Sequence, residues 1–513
     1  MPTDVSPPAA AAGRQAVGLI AICLAALMFG LEISSVPVIL PTVGHALGGS
    51  FSDAEWIMSA YTIGVVTMLM PSGTLGDRLG HKRGVVAAVV VFGLASLLCG
   101  LAPSTGVLIA GRLVQGMSGG AMLACQIALL SHEFPSGGQR TRAFGWWGVI
   151  FGVGLGFGPA IGGGIQAALD WRWVFLAHAV IAPVAIALLI FGTSDTRHTR
   201  SGRVDVAGIA TLVLGVSGLT FFITQIPSVG LTNAVSLAAL GVAFVSLVCF
   251  VTVELRSEQP MIDFRVFRLR AFSGALLSSA GMNFSFWPLI IYLPVFLQSG
   301  LGYSASTASI LLLAYTLPTL LLPPLAERLT ARHQPGVIIP LGLTLIGAGL
   351  LAVRIGSGVG HPSWATVMPG MLLAGVGLGL TNTPTTNTTT VSVPSERSGM
   401  ASGIDMSTRM TSLAVNISLM GLLLFAGISG YLRDHLPTRL TQSDLRDLTT
   451  QVVNGDTSSQ AHLHGLTTRP AHFDDLTAGA LRHGIGLVTL YGGIAVLLLA
   501  LLSRLTFAAR SRD

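Results

Sequence analysis

Four ionisable residues stand where an apolar chain has least reason to carry them. Glu32 lies in the apolar run 16–40, Arg112 in the run 105–131, and Asp405 and Arg409 in the run 399–428. A charge in hydrocarbon is costly, so each is a functional candidate by default. The chemistry open to such a carboxylate is reversible protonation. Burial favours the neutral acid and a nearby arginine favours the anion, so a change of neighbours switches the group between binding and releasing a proton. The alternative for Glu32 is a permanently paired structural charge. Asp405 and Arg409 are four residues apart and share a helix face, so a static intrahelical pair weighs equally there.

Other chemistry is excluded residue by residue. No G-x-x-x-x-G-K-[ST] occurs, which removes ATP-driven pumping by this chain. No H-E-x-x-H or close Cys/His set occurs, and Cys23, Cys99, Cys125 and Cys249 all fall inside apolar runs, so neither a metal site nor a disulfide framework is expected. The glycines at 152–163 lie within an apolar run and follow no strand, which defeats a dinucleotide-binding reading. His462 and His464 fall in a polar stretch and read as solvated. No catalytic residue, cofactor or nucleic-acid partner is expected.

The elements that must hold these residues follow from composition. Of 513 residues, 51% are hydrophobic and only 10% charged, with a mean hydropathy of +0.73. Such a chain is a membrane protein, and a large soluble enzyme is ruled out. Runs of near-spanning length recur at 16–40, 54–76, 84–102, 105–131, 143–166, 172–192, 205–225, 233–255, 272–297, 305–326, 335–356, 365–390, 399–428 and 481–506, about fourteen transmembrane helices in all. The first is too long for a signal-peptide core and should remain as a span.

Charge orients them. With the N-terminus inside, the inner connections hold Arg14, Arg78, Lys82, Arg83, Arg140, Arg142, Arg197, Arg200, Arg203, Arg256, Arg265, Arg268, Arg270, Arg328, Arg332, Arg397, Arg504, Arg510 and Arg512. The short outer connections hold only Arg172 and Arg354, so the positive-inside rule places both termini in the cytoplasm. The segment 429–480 then forms a long extracytoplasmic loop, which crosses regardless of its charge. Trp56, Trp171, Trp173 and Trp364 fall at outer ends, where an aromatic belt is expected. In this orientation Glu32 lies roughly 24 Å into a hydrocarbon layer of about 30 Å. Arg112, on a helix running the other way, reaches a comparable depth, so a direct or water-bridged pair is expected.

Residues 73–83, GTLGDRLGHKR, echo 323–333, PPLAERLTARH, at an offset of 250. Leu75, Asp77, Arg78, Leu79 and Lys82 align with Leu325, Glu327, Arg328, Leu329 and Arg332, which suggests two parallel halves related about the membrane normal. The expected domains are a six-helix bundle at 1–200, two linking helices at 201–260 and a second six-helix bundle at 261–513. Asp77, an acid at a helix end, can meet basic side chains and the positive end of a neighbouring helix dipole. Arg78, Lys82 and Arg83 read as inner-face anchors. The glycines at 152–163 allow close backbone approach, and Pro159 bends that helix.

Four further motifs stand in order. Leu108 to Gly120 contains Arg112, Gln115 and Gly116, and Gly152, Gly156, Gly158, Pro159, Gly162 and Gly163 recur on the fifth run. Trp171-Arg172-Trp173-Val174-Phe175 opens the sixth, while Gly30-Leu31-Glu32 with Leu40-Pro41 marks the first. Together with Gly73 to Arg83, these make the chain resemble the major facilitator superfamily, in particular its fourteen-helix drug:proton antiporter branch. The first-helix motif departs from the family in carrying Glu32 where Asp is usual, and Asp405 stands where a neutral polar residue is usual.

The resemblance implies an all-α major facilitator fold and export of drugs or amphipathic molecules by alternating access, driven by a proton gradient. It implies proton coupling at Glu32, Arg112, Asp405 and Arg409, and conformational gating by Gly73, Asp77, Arg78, Gly80, Gly158, Pro159 and Gly162. Candidate substrate-binding residues are Asn283, Phe286, Trp287 and Tyr292 on the ninth run, which Pro288 and Pro294 break, with Gln115, Gln126, Tyr315, Asn382 and Asn416 elsewhere. Glu32 and Asp405 are offset by Arg112 and Arg409, leaving no excess charge to favour cations. A dedicated exporter or importer of one metabolite therefore stays open, and a membrane-embedded enzyme is a remote alternative. The expected setting is a bacterial cytoplasmic (inner) membrane, with the lipid bilayer, protons and a small-molecule substrate as partners and a monomer as the working unit.

Overall fold

The computed structural model describes residues 9–48, 51–135, 137–194, 205–229, 233–257, 262–303, 305–394, 397–436, 441–453 and 473–508. Among these the chain is helical, with no strand. In lipid every backbone polar group needs a partner within its own segment, which a helix supplies. The first stretch holds α1 (Ala9–Leu47), α2 (Phe51–Leu79), α3 (His81–Gly100), α4 (Thr105–Glu133), α5 (Gly137–Ala168) and α6 (Arg172–Gly192). Two helices follow, α7 (Val206–Val229) and α8 (Ala234–Arg256). The remainder forms α9 (Arg270–Asn283), α10 (Phe286–Val295), α11 (Ala305–Leu321), α12 (Pro323–His333), α13 (Pro335–Ser357), α14 (Trp364–Val391), α15 (Ser398–His435), α16 (Gln442–Val453) and α17 (Phe473–Ala508).

Local chemistry sets several boundaries. Gly80, at φ 100°, ends α2 in a backbone region that favours glycine, and α3 starts at the next residue. Ser104, Asn233 and Ser363 cap α4, α8 and α14, Ser363 in a reciprocal box with Thr366.

Each of the fourteen expected spans falls on helix, but the count of crossings is lower by length and composition. Ten helices are long and apolar enough to cross a membrane, and twelve are when two bent pairs are each taken as one span. In α2 and α7 the apolar stretches are shorter, Trp56–Leu69 and Val206–Leu219.

Two expectations are corrected and a third, for the ninth run, is met at one of its two prolines. The run 272–297, expected to be broken by Pro288 and Pro294, is two helices parted at Phe284 and Ser285, because Pro288 has no N–H for the Phe284 carbonyl and its ring clashes there, while α10 continues past Pro294 to Val295. The run 305–326 stops at Leu321, and α12 leaves at 48°, since Pro323 has no N–H to donate to the Thr319 carbonyl. The loop 429–480 is largely helical in its described part: α15 continues to His435, α17 begins at Phe473, and α16 lies between them. Leu445, Leu448 and Val452, at helical spacing, are buried beside Leu432 and Phe473, so an amphipathic face docks α16 on the bundle. Arg197, Arg200, Arg203, His462, His464, Arg510 and Arg512 lie outside the described residues.

Burial ranks the helices. In α4 78% of the spanning window is buried, against 33% in α6 and 22% in α8. Thus α4 is central, and α6 and α8 turn Val180, Val184, Phe191, Phe244 and Val245 outward. One core gathers α1 to α6 around Phe29, Phe92, Phe144 and Trp147, and a second gathers α9 to α17 around Phe286, Tyr315, Leu343 and Leu424. Met406 of α15 packs into the first core, and Trp287 of α10 touches both. Trp173 and Trp364 are exposed as a belt requires, whereas Trp171 is buried under Arg172 and against Phe175 and does not belong to it. A Cβ on Gly30 or Gly154 would lie 3.0 Å from backbone of the facing helix, so α1 and α5 touch main chain to main chain.

Candidate functional site

Glu32 and Arg112 face each other across α1 and α4, both fully buried. Arg112 Nη1 donates directly to Glu32 Oε1. The guanidinium also donates to the Ile57 carbonyl (3.1 Å) and Gln115 Oε1 (2.8 Å), and lies over the Tyr61 ring at 4.1 Å. Gln115 in turn donates to Ser96 Oγ at 2.8 Å. Planar arginine is thus held on several sides, while Glu32 Oε2 lacks a hydrogen bond. His178 Nδ1 of α6 lies 3.3 Å from that oxygen. Sequence reading passed over His178, although a histidine within an apolar run carries the same signal as Glu32.

A second polar cluster lies in the other set of helices. Asp405 accepts from Ser279 Oγ of α9, and the Arg409 Nε lies 3.3 Å from Asp405 Oδ2. The guanidinium of Arg409 continues to α14, donating to Asn382 Oδ1 and to Thr386 Oγ1 (2.9 Å). The pair is therefore intrahelical and cross-braced by two neighbouring helices.

At one end of the molecule, the Asp77 carboxylate accepts the backbone N–H groups of Gly399 and Met400, both at 2.9 Å. These are the first-turn donors of α15, the positive end of its dipole. His81 Nε2 lies 3.0 Å from the same carboxylate. A Cβ on Gly73 would strike the Gly399 carbonyl oxygen, and one on Gly399 would strike that of Gly73, so only glycines permit this approach of α2 and α15. Lys82 donates to the carbonyls of Ile190 (2.8 Å) and Thr193 (2.7 Å), tying α3 to the end of α6, and Arg78 is half-exposed. Gly158 faces Ser34 and Gly162 faces Ser35, and α5 changes direction by 51° between Gly158 and Ile161, at Pro159.

Glu327, the echo of Asp77, also bridges helices. It accepts from Asn387 Nδ2 at 2.6 Å, and Asn387 Oδ1 accepts from Arg140 Nε of α5 at 2.8 Å. Arg140 further donates to Ser131 Oγ (2.8 Å) and Thr390 Oγ1 (2.9 Å). Nearby in sequence to α9, Asp263 accepts from Arg265 Nε (3.0 Å) and from Arg397 Nη1, next to the start of α15. Burial alone would raise the Asp263 carboxyl, but Arg265 and Arg397 outweigh it and hold the group at about 2.

The expected ligand residues are spread over α4, α9, α10, α11, α14 and α15. Asn283 donates to Ser279, Tyr315 donates to the Phe286 carbonyl with their rings stacked at 3.9 Å, and Tyr292 donates to the Ile417 carbonyl. With Gln115 and Asn382 holding arginines, these side chains have their polar atoms engaged inside the bundles. Gln126 keeps both amide atoms unengaged, as do the Asn416 Nδ2 and the Trp147 Nε1, although Asn416 Oδ1 accepts from Tyr491. Trp287 lies between the two cores.

The Major Facilitator Superfamily model matches residues 22–415. Among curated proteins, the chain is 29% identical over 455 residues to the multidrug resistance protein Stp of Mycobacterium tuberculosis, covering 89% of this chain and 84% of that one. It is 30% identical over 424 residues to the puromycin resistance protein pur8 of Streptomyces alboniger, covering 82% and 83%. It is 27% identical over 440 residues to the tetracenomycin C resistance and export protein of Streptomyces glaucescens, covering 84% and 79%. Among solved structures, the human organic anion transporter MFSD10 superimposes with a TM-score of 0.61 at 13% identity, covering 97% of this chain and all of that one (100%). The proton:xylose symporter XylE gives 0.61 at 12%, covering 96% and 95%. At these identities the structures speak for the fold alone. A multi-pass helical architecture and a match over most of the length together carry one conclusion: the chain is a membrane transporter, not an enzyme, and belongs to the Major Facilitator Superfamily.

Proposed function

We propose that this transporter exports drugs or other amphipathic small molecules in exchange for protons. The substrate class rests on relatives named for resistance to or export of such compounds. The proton rests on one observation above all: a carboxylate with no access to water, Glu32, is paired with an arginine in the interior of spanning helices. With a proton on Glu32, the ion pair with Arg112 becomes a hydrogen bond from the guanidinium to an uncharged acid, and the attraction between opposite charges is lost. Arg112 keeps its bonds to Ile57 and Gln115, so protonation loosens α1 from α4 without unseating the arginine. Asp405 is the second candidate, since a proton there would release Arg409 toward Asn382 and Thr386.

The working cycle is alternating access between bundles at 1–200 and 261–513, with 201–260 as linking helices and both termini cytoplasmic. Asp77 on the α15 N-terminus and Gly73 against Gly399 form the inner latch that holds the outward-facing state. Gly158, Pro159 and Gly162 give α5 its hinge. The membrane is a bacterial cytoplasmic one, the unit a monomer, and no cofactor takes part.

The test is export of a fluorescent dye from proteoliposomes under an imposed proton gradient, comparing the native chain with Glu32→Gln. Loss of gradient-driven movement in the variant is expected. Unchanged movement removes Glu32 as the coupling acid, and accumulation in the opposite sense reverses the direction.

A further inference from the structure

His178 is a buried ionisable group with no role in the exchange proposed above. Its Nδ1 lies 3.0 Å from the Val174 carbonyl oxygen and its Nε2 lies 3.1 Å from the Met28 carbonyl oxygen. Carbonyl oxygens only accept, so both contacts are hydrogen bonds only when both ring nitrogens carry hydrogen. A neutral imidazole would turn one lone pair toward a carbonyl in a water-free interior, which is the costly arrangement for a buried polar group. The imidazolium satisfies both carbonyls. It also brings positive charge to Glu32 Oε2, 3.3 Å from Nδ1, the oxygen that Arg112 does not reach.

The surroundings fit a cation. Facing this cluster are Glu32 from α1, Arg112 from α4, Tyr61 from α2 and Cys99 from α3, and Glu32 is the one acid among them. The Phe92 ring of α3 meets the imidazole edge to face at 5.7 Å. An imidazolium here, together with Arg112, would exceed Glu32 by one positive charge, spread over the carbonyls of Ile57, Val174 and Met28 and the faces of Tyr61 and Phe175.

We infer that His178 is an imidazolium paired with Glu32 and that it holds the exchangeable proton of this site. The step is a transfer from Nδ1 to Oε2, 3.3 Å apart, once the Nδ1–H turns from the Val174 carbonyl toward Glu32. The N–H bond at Nδ1 breaks and its electron pair stays on the ring, an O–H bond forms at Oε2, and the total charge of the site is unchanged. Glu32, now neutral, loosens from Arg112 and passes the proton on, and His178 is recharged from the other side. His178 is thus a positioning residue for Glu32 as well as a proton reserve. The transfer rests on the antiport reading, whereas the charge state of His178 does not.

The charge state is read by nitrogen NMR of the full chain labelled in its histidine rings and held in lipid nanodiscs. The signal among 12 histidines is assigned by its loss in His178→Gln, or in His178→Asn where the first variant does not fold. Both ring nitrogens protonated at pH 7 in the native chain, and a neutral ring in Glu32→Gln, is the expected result. A neutral ring in the native chain overturns the inference, as does an imidazolium that persists in Glu32→Gln. For the transfer, His178→Gln should lower gradient-driven dye export about tenfold and flatten its pH profile. A native profile in His178→Gln overturns the transfer. A native chain that exports without any gradient while His178 is an imidazolium overturns antiport and leaves the charge assignment standing.

Discussion

Asp77 and Gly399 are 322 residues apart, yet the carboxylate of one accepts the backbone N–H of the other at 2.9 Å. An acid near the end of α2 thereby neutralises the positive end of α15, and two glycines bring the main chains together around it. The bond joins the two parts of the molecule that alternating access must separate at this end.

Asp77→Asn should weaken that joint by about 1 kcal/mol, the scale of a charge at a helix terminus, because a neutral amide keeps the shape and loses the charge. Spin-label distances across this end, between the start of α3 and α12, should then broaden toward longer values. Gly73→Ala should do the same by contact with the Gly399 carbonyl. Distances identical to the native chain in both variants would remove the latch.

Glu32→Gln leaves the Arg112 guanidinium without its acid partner, and stripping one member from a buried pair costs about 3–5 kcal/mol. A lowered melting temperature of the purified variant is expected. The double variant Glu32→Gln with Arg112→Gln should recover part of it, since no unmatched charge remains. A double variant less stable than either single one would show that the pair is not the source.

The Asp263 carboxyl, held at about 2 by its arginines against an ordinary value of 3.8, contributes to stability in a defined window. A depressed folded value means that the contribution is complete above the unfolded value and is lost as pH falls through the folded one. The melting-temperature gap between the native chain and Asp263→Asn should therefore be constant at neutral pH and shrink from about pH 4 toward pH 2. A gap that widens over this range would contradict the assignment.

Arg140→Ala should unseat Asn387 and leave the buried Glu327 with less support, with destabilisation of about 3 kcal/mol on the scale of a broken buried charged network. Glu327→Gln added to Arg140→Ala should restore part of the loss in a thermal melt. Additive losses would mean that Asn387 does not connect the two.

The fold and the first rank of site residues were legible because their signals are local. Spanning runs announce themselves by length, and Glu32, Arg112, Asp405 and Arg409 by being charged inside them. Asp77 was legible through its place at a helix end, though the identity of its partner helix was not. The break at Ser285 follows from Pro288, which the sequence already marks, and that at Leu322 from Pro323, which the length of the apolar run had masked. The helix α16 was missed because its apolar face is narrow and set among polar residues. His178 was missed because hydropathy counts one histidine in an apolar run as a small perturbation, and only its two carbonyl neighbours reveal a charge.

Composition and periodicity alone settled that the chain is a helical membrane protein with a handful of interior charges, because apolar length and the cost of burying charge are properties of each segment by itself. Which oxygen of Glu32 meets Arg112 and which meets His178 was decided by the packing of α1, α4 and α6. So were the partners of Asp77 and Glu327, and the hydrogen-bond partners of Tyr315, Asn283 and Gln115. Contacts between distant segments depend on helix rotation and crossing, and those are fixed only when every helix competes for the same interior.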